Sequence, residues 1–139
     1  MKIRRQIEHD HGDSAIFALS DPFFVFKNMF EANVEKWDTR YKVEIPLKGL
    51  FYLPFNLVVY VTSVLRSTHS VNYVINVADF AEHRWGIVMF KVREDEVDME
   101  VEVEVPLNIV TSRILRKRVE RFAENFNEAV RLYRIEKKI

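Results

Sequence analysis

Hydrophobic positions change period twice along the chain, and each change marks a change of element. Residues Lys2–His9 alternate, with Ile3 and Ile7 on one face and Arg4, Gln6 and Glu8 on the other, which predicts a strand. Gly12-Asp13-Ser14 then reads as a helix start, followed by a short apolar helix, Ala15–Leu19. Ser20-Asp21-Pro22 is a second start. Asp21 suits the cap position and Pro22 the first helical position, where its missing N–H costs nothing. A second short helix to about Met29 follows, and its Phe23, Phe24 and Phe26 read as exposed.

From Phe30 the period falls to two. Six strands are predicted: Phe30–Trp37, Tyr41–Leu47, Phe55–Arg66, Val71–Val77, His83–Arg93 and Val97–Val105. Short polar breaks separate them, at Asp38-Thr39-Arg40, Lys48-Gly49, Ser67-Thr68-His69, Ala78–Glu82 and Glu94-Asp95-Glu96. Strands joined this closely run antiparallel. The last strand alternates most cleanly. Its Met99, Val101 and Val103 are expected inward, and Asp98, Glu100, Glu102 and Glu104 outward beside basic neighbours.

Pro106 ends the sheet. Leu115, Val119, Phe122, Phe126, Ala129 and Tyr133 recur at helical spacing, which predicts one long helix to about Glu136. About 31 helical residues span ~46 Å and a 12-residue strand ~40 Å, so the helix can lie along a whole strand. The order is strand, two short helices, six strands, long helix, in one α+β domain over residues 1–139.

Composition narrows the function. With no Cys, thiolate metal sites and disulfide scaffolds are excluded. Three glycines cannot form a Gly-rich phosphate cradle. Lys+Arg and Asp+Glu balance at 21 each, which removes the simplest argument for nucleic-acid binding. The balance hides segregation. Residues 94–104 hold seven acids and no base, whereas 113–138 hold nine bases and four acids, net +5. On the helix, solvated faces with i,i+4 pairs are expected, the alternative being contact with phosphate or an anionic membrane surface. The uncharged 17 residues Gly49–Leu65 are rich in Val and aromatics and contain Pro54, so they read as a turn and a buried strand, not a stable membrane span. The opening MKIRRQIEHDHGD has no signal-type apolar run, which predicts a cytoplasmic protein. His9-Asp10-His11 reads as a solvated strand end, with no metal and no other cofactor expected; no catalytic signature is present.

Tyr41, Phe55, Tyr73, Trp85, Met89 and Met99, with Val43 and Val59, fall on expected inward faces opposite Phe122 and Phe126 of the helix. They can line a cavity or fill a solid core; buried Tyr41 and Tyr73 would need hydroxyl partners and could offer them to a ligand. The strand–helix–helix opening, Ser20-Asp21-Pro22 between the small helices, the six-strand meander and the helix after Glu104-Val105-Pro106 together resemble the START/Bet v 1-like (helix-grip) superfamily, and most of all its small archaeal, thermophile members. The resemblance implies a curved seven-stranded antiparallel sheet wrapped around the C-terminal helix. It also implies a hydrophobic ligand, lipid-like or polycyclic, between them. Some members of that superfamily are cyclases or hydrolases, and some bind proteins, so an enzyme using the same pocket and a solid interaction module are the alternatives. Finally, Phe55–Arg66 and His83–Arg93 are apolar on both faces, which predicts a homodimer through the outer sheet face around Tyr60 and Phe90.

Overall fold

A computed structural model describes residues 1–48, 53–77, 84–104 and 109–139. The elements are β1 (Lys2–Glu8), α1 (Ser14–Leu19), α2 (Pro22–Phe30), β2 (Asn33–Trp37), β3 (Arg40–Lys48), β4 (Pro54–Arg66), β5 (Ser70–Val77), β6 (Arg84–Val92), β7 (Glu96–Val103), α3 (Ile109–Glu124) and α4 (Phe126–Lys137). The turn at Gly49, the loop Ala78–Glu82 and the helix start after Pro106 lie outside the described residues. The strands form one antiparallel sheet in the order β1-β7-β6-β5-β4-β3-β2. This is the expected α+β helix-grip architecture, and from residue 54 the charge-free stretch is strand β4. Among the described residues no helix is long and apolar enough to cross a membrane.

Local chemistry accounts for the element ends. The Asp21 carboxylate accepts a hydrogen bond from the Phe23 N–H at 3.0 Å, and Pro22 opens α2. α2 runs to Phe30, one residue past its expected end, and stops at Glu31 in the left-handed region (φ 54°). β2 therefore starts at Asn33, not at Phe30. The expected single C-terminal helix is divided at Asn125 (φ −100°, ψ 11°) into α3 and α4. The Asn125 N–H still donates to Arg121 O and its carbonyl accepts from Ala129 N, so the apolar stripe continues across the break. Asn competes for backbone hydrogen bonds and tolerates such departures more than most residues.

One face of the sheet is buried. Ile3, Val101, Val88 and Tyr73 sit side by side across four strands, and Met99, Phe90 and Val71 across three. Leu115, Val119, Phe122, Phe126 and Val130 of α3 and α4 join the same core, as do Phe24, Val25, Phe26, Met29 and Phe30 of α2. β7 follows the expected alternation, with Val97, Met99, Val101 and Val103 buried. Its outward acids meet bases from the neighbouring strands: Arg4 with Glu100 at 3.2 Å, Lys2 with Glu100 at 3.6 Å and Arg93 with Asp98 at 2.8 Å.

Two strands turn out otherwise. In β6 the buried residues are Val88, Phe90 and Val92, so Trp85 and Met89 point outward, and Trp85 is 54% exposed. Both faces of this strand are apolar, so alternation alone could not choose between them; pairing of Val88 with Val101 and Tyr73 fixes the register. In β4 the pairing slips between Val61 and Ser63. Before the slip Leu57, Val59 and Val61 face the core; after it Val64 does, and Leu65 faces solvent.

Two contacts hold this arrangement. A Cβ at Gly86 would lie 2.9 Å from the Glu102 carbonyl oxygen and 3.0 Å from Ile75 Cγ1, so three strands close around a bare backbone. The buried Tyr73 hydroxyl donates to the Leu19 carbonyl at the end of α1 and ties the small helices to the sheet centre. Burial holds that phenol well above its ordinary 10.0.

Gly86→Ala is expected to cost about 1–3 kcal/mol in urea unfolding through overpacking; unchanged stability would show that the strands can separate there. Tyr73→Phe is expected to cost about 1–3 kcal/mol at neutral pH by stranding a buried carbonyl. The unfolded chain ionises Tyr73 near pH 10 and the folded chain does not. Its contribution is therefore complete below that pH and is lost as pH rises above it. Unfolding midpoints followed up the alkaline limb should fall less steeply in Tyr73→Phe than in the wild type.

Candidate functional site

The candidate site is the apolar inner face together with the helices that cover it. Val43 and Val59 are cross-strand partners and both are buried. Met99 sits opposite Phe90. The Phe122 ring meets Phe24, Phe90 and Phe126 at centroid distances of 6.2, 6.4 and 5.8 Å. Val43, Val59, Tyr73, Met99, Phe122 and Phe126 thus share one cluster, with Tyr41 and Phe55 half-buried at its margin. Trp85 and Met89 are not part of it.

The two tyrosines have different roles. Tyr73 is held edge-on by Phe26 at 5.3 Å, and its hydroxyl is engaged by Leu19. Tyr41 has only its ring engaged, edge-on to Phe23 at 5.7 Å; among the described residues its hydroxyl has no hydrogen-bond partner. Of the pair, Tyr41 is the one with a polar group to offer.

Sequence reasoning missed Phe24, Phe26 and Phe90, all of them core residues. For α2 the signal was present. Pro22, Phe24, Val25, Phe26, Met29 and Phe30 are apolar nearly all round the helix, the mark of a helix covered on most sides. Only Phe23 of its phenylalanines is exposed.

His9 and His11 are built into the frame, not solvated. His9 is buried; its Nε2 donates to Arg93 O at 3.1 Å, and its Nδ1 accepts from the His11 N–H at 3.2 Å. His11 Nε2 donates to Asn127 O at 2.9 Å, while Arg134 Nη1 donates to His11 Nδ1 at 3.1 Å. These bonds fix both rings as neutral Nε2–H tautomers and fasten α4 to the end of β1. Among the described residues no three His, Asp or Glu side chains converge as a metal would require.

Two of the five bases of α3 act as clasps. Arg118 Nη1 donates to Phe30 O at 2.9 Å and its Nε lies 3.2 Å from Glu31; Arg121 reaches Glu31 at 2.8 Å. Glu120 takes the guanidinium of Arg5 on β1, with Nε at 2.7 Å, instead of an i,i+4 partner on its own helix.

Two surface cavities flank this core. One, of about 220 Å³, lies between α2 and α4 against Phe23, Phe24, Lys27, Leu132 and Tyr133. There the Tyr133 hydroxyl donates to Asp21 Oδ2 at 3.1 Å; burial first, then the Asp21 charge, push the phenol up to about 12. The other, of about 660 Å³, is an open groove on the outer sheet face beside Asn72, Met89 and Glu100.

The fold is shared with solved structures. A hypothetical protein from Sulfolobus tokodaii superposes with a TM-score of 0.76 at 19% identity, over 99% of both chains. A conserved protein from Geobacillus kaustophilus superposes at 0.58 with 10% identity, over 97% of this chain and 94% of its own. At such identities the likeness is one of fold. No curated protein matches the sequence. A protein-family model described only as "-like" does match, and because it covers residues 1–139 the chain belongs to that "-like" family, with the α+β helix-grip fold.

Proposed function

We propose that the chain is a cytoplasmic START/Bet v 1-like protein that binds a hydrophobic small molecule, lipid-like or polycyclic, between the inner sheet face and the C-terminal helices. One observation carries this reading: the inner face is apolar and buried across six of the seven strands, and the only buried polar or charged residues among those described are His9 and Thr111. Such a surface offers a ligand its apolar area at ~25 cal/mol per Å² and asks for no polar match. Val43, Val59, Met99, Phe122 and Phe126 supply the wall. Entry is by the margins where burial falls off, beside Tyr41 and Phe55, and the unpartnered Tyr41 hydroxyl orients a polar head group.

A second reading, an interaction module with a solid core, is favoured by the outer face. Trp37, Leu65 and Trp85 are each at least half exposed there, around half-buried Val58, Tyr60, Val74, Ile87 and Met89. Phe90, expected on this face, is in the core. Seven strands about 4.8 Å apart and some eight residues tall give a face of about 750 Å², close to the ~800 Å² per partner of a standard interface. Its rim carries both signs, with Lys42 and Glu44 3.0 Å apart and Lys2 beside Glu102. Such a rim suits a second copy of the same face across a two-fold axis. Self-association through the outer face is compatible with a ligand at the inner face, because the two use opposite faces of the sheet; a solid core is not.

An apolar naphthylamine probe should bind the native protein saturably, with blue-shifted emission, and be displaced by oleate. Absence of saturable binding by the folded chain would overturn the ligand reading. In sedimentation at micromolar concentration the wild type should run at twice 16.6 kDa, and Tyr60→Glu and Trp85→Glu at 16.6 kDa. A wild type already at the single-chain mass would remove the homodimer.

A further inference from the structure

We propose that the outward side of α4 is a docking surface for an anionic lipid bilayer. α4 buries Phe126 and Val130, and the opposite side of a surface helix is ordinarily polar. Here Leu132, Ile135 and Ile139 are all more than half exposed. Leu132 and Ile135 are neighbours at helical spacing, and Ile139, just past the left-handed Lys138 that ends α4, shares a groove with Ile135, so the three make one aliphatic stripe. The inward contacts of α4 are already made by other residues: Tyr133 with Asp21, Arg134 with His11, and Asn127 with Glu8 O. The stripe is therefore left over after the fold is complete.

Cations border it on both sides. Lys27 of α2 and Lys137 share the α2–α4 cavity with Leu132. Arg131, Arg134 and Lys138 share a shallow groove with Ile135 and Ile139. Among the described residues Lys27 and Lys138 have no ion-pair partner, and Lys137 lies over the Tyr133 ring at 5.9 Å. The local acids are Glu128, which pairs with Arg131 at 2.9 Å, Glu136, and Asp21, whose carboxylate is held by Phe23 N and Tyr133.

An aliphatic stripe flanked by unpaired cations matches a negatively charged bilayer surface, where the side chains enter the headgroup boundary and the ammonium groups meet lipid phosphates. It contrasts with the outer sheet face, whose exposed tryptophans and balanced charges suit a protein partner. Docking lays α4 on the surface without insertion and does not depend on a ligand at the inner face.

The test is co-sedimentation of the full chain with vesicles of phosphatidylcholine alone or mixed with phosphatidylglycerol. Binding is expected to the mixed vesicles and to weaken as salt screens the lysines. Ile135→Asp is expected to weaken it about tenfold, the size of withdrawing one aliphatic side chain from an apolar phase. Lys137→Glu with Lys138→Glu should act similarly, and Leu53→Asp, at an exposed apolar residue just before β4, should leave binding unchanged. Circular dichroism checks that each variant is folded. The proposal is overturned if the wild type ignores the mixed vesicles, if it binds both vesicle types alike, or if Leu53→Asp rather than Ile135→Asp abolishes binding. It is likewise overturned if Ile135→Asp changes the sedimenting mass and not the lipid-bound fraction, which would make the stripe a contact between copies.

Discussion

Seven strands in one layer present two faces, and this chain has helices enough to cover only one. The covered face takes its residues from every strand except the short β2 edge, and buries them against α2, α3 and α4. Dispersion and dehydration are strongest where the large rings meet, at Phe90, Phe122, Phe126 and Phe24. That burial selects the register. A one-residue slip of β7 would put Asp98, Glu100 and Glu102 against α3 and expose Met99, Val101 and Val103, a cost no surface ion pair could offset. The charged clasps from Arg5, Arg118 and Arg121 locate the helices over the face; they do not create it.

How much of this was legible depended on whether an element has one apolar side or two. β1 and β7 set apolar against charged residues, so strand and face followed from spacing; basic neighbours for the acids of β7 were expected, but not which ones. β6 is apolar on both sides, and its inward face was fixed only by its neighbours; Trp85 and Met89 were misplaced for that reason. β4 adds a slip after Val61 that reverses the faces of its second half, which left Leu65 outside. No local signal marks that slip, because Thr62 and Ser63 are ordinary strand residues. In α2 the aromatic run was readable as a buried helix, and the error lay in judging its Phe residues one at a time.

Polar groups in the interior explain what spacing could not. Tyr41 and Tyr73 were indistinguishable as sequence, since each is an inward tyrosine on a strand. The end of α1 supplies a carbonyl to Tyr73, so one phenol became a fastener, while the other has no hydroxyl partner among the described residues. His9 and His11 show the same logic. Two imidazoles at a strand end look solvated until the Arg93 carbonyl, Asn127 and Arg134 are brought to them by distant elements. Long-range partners of this kind, more than fifty residues away in sequence, are outside the reach of any window of residues.

Zero net charge conceals a division of labour that bears on both uncovered surfaces. The acids of β7 are matched by bases of β1 and by Arg93 just past β6, Glu31 takes Arg118 and Arg121 of α3, and Glu120 of α3 takes Arg5 of β1. The outer sheet face is therefore close to neutral pair by pair, so its exposed aromatic rings are not defended by repulsion from a second copy of themselves. Beside α4 the matching is also incomplete: Arg131 has Glu128, but among the described residues Lys27 and Lys138 have no ion-pair partner. Charge left unmatched beside an aliphatic stripe repels a like copy and attracts an anionic one. The same sequence thus leaves two exposed apolar surfaces whose electrostatics direct them to different kinds of partner.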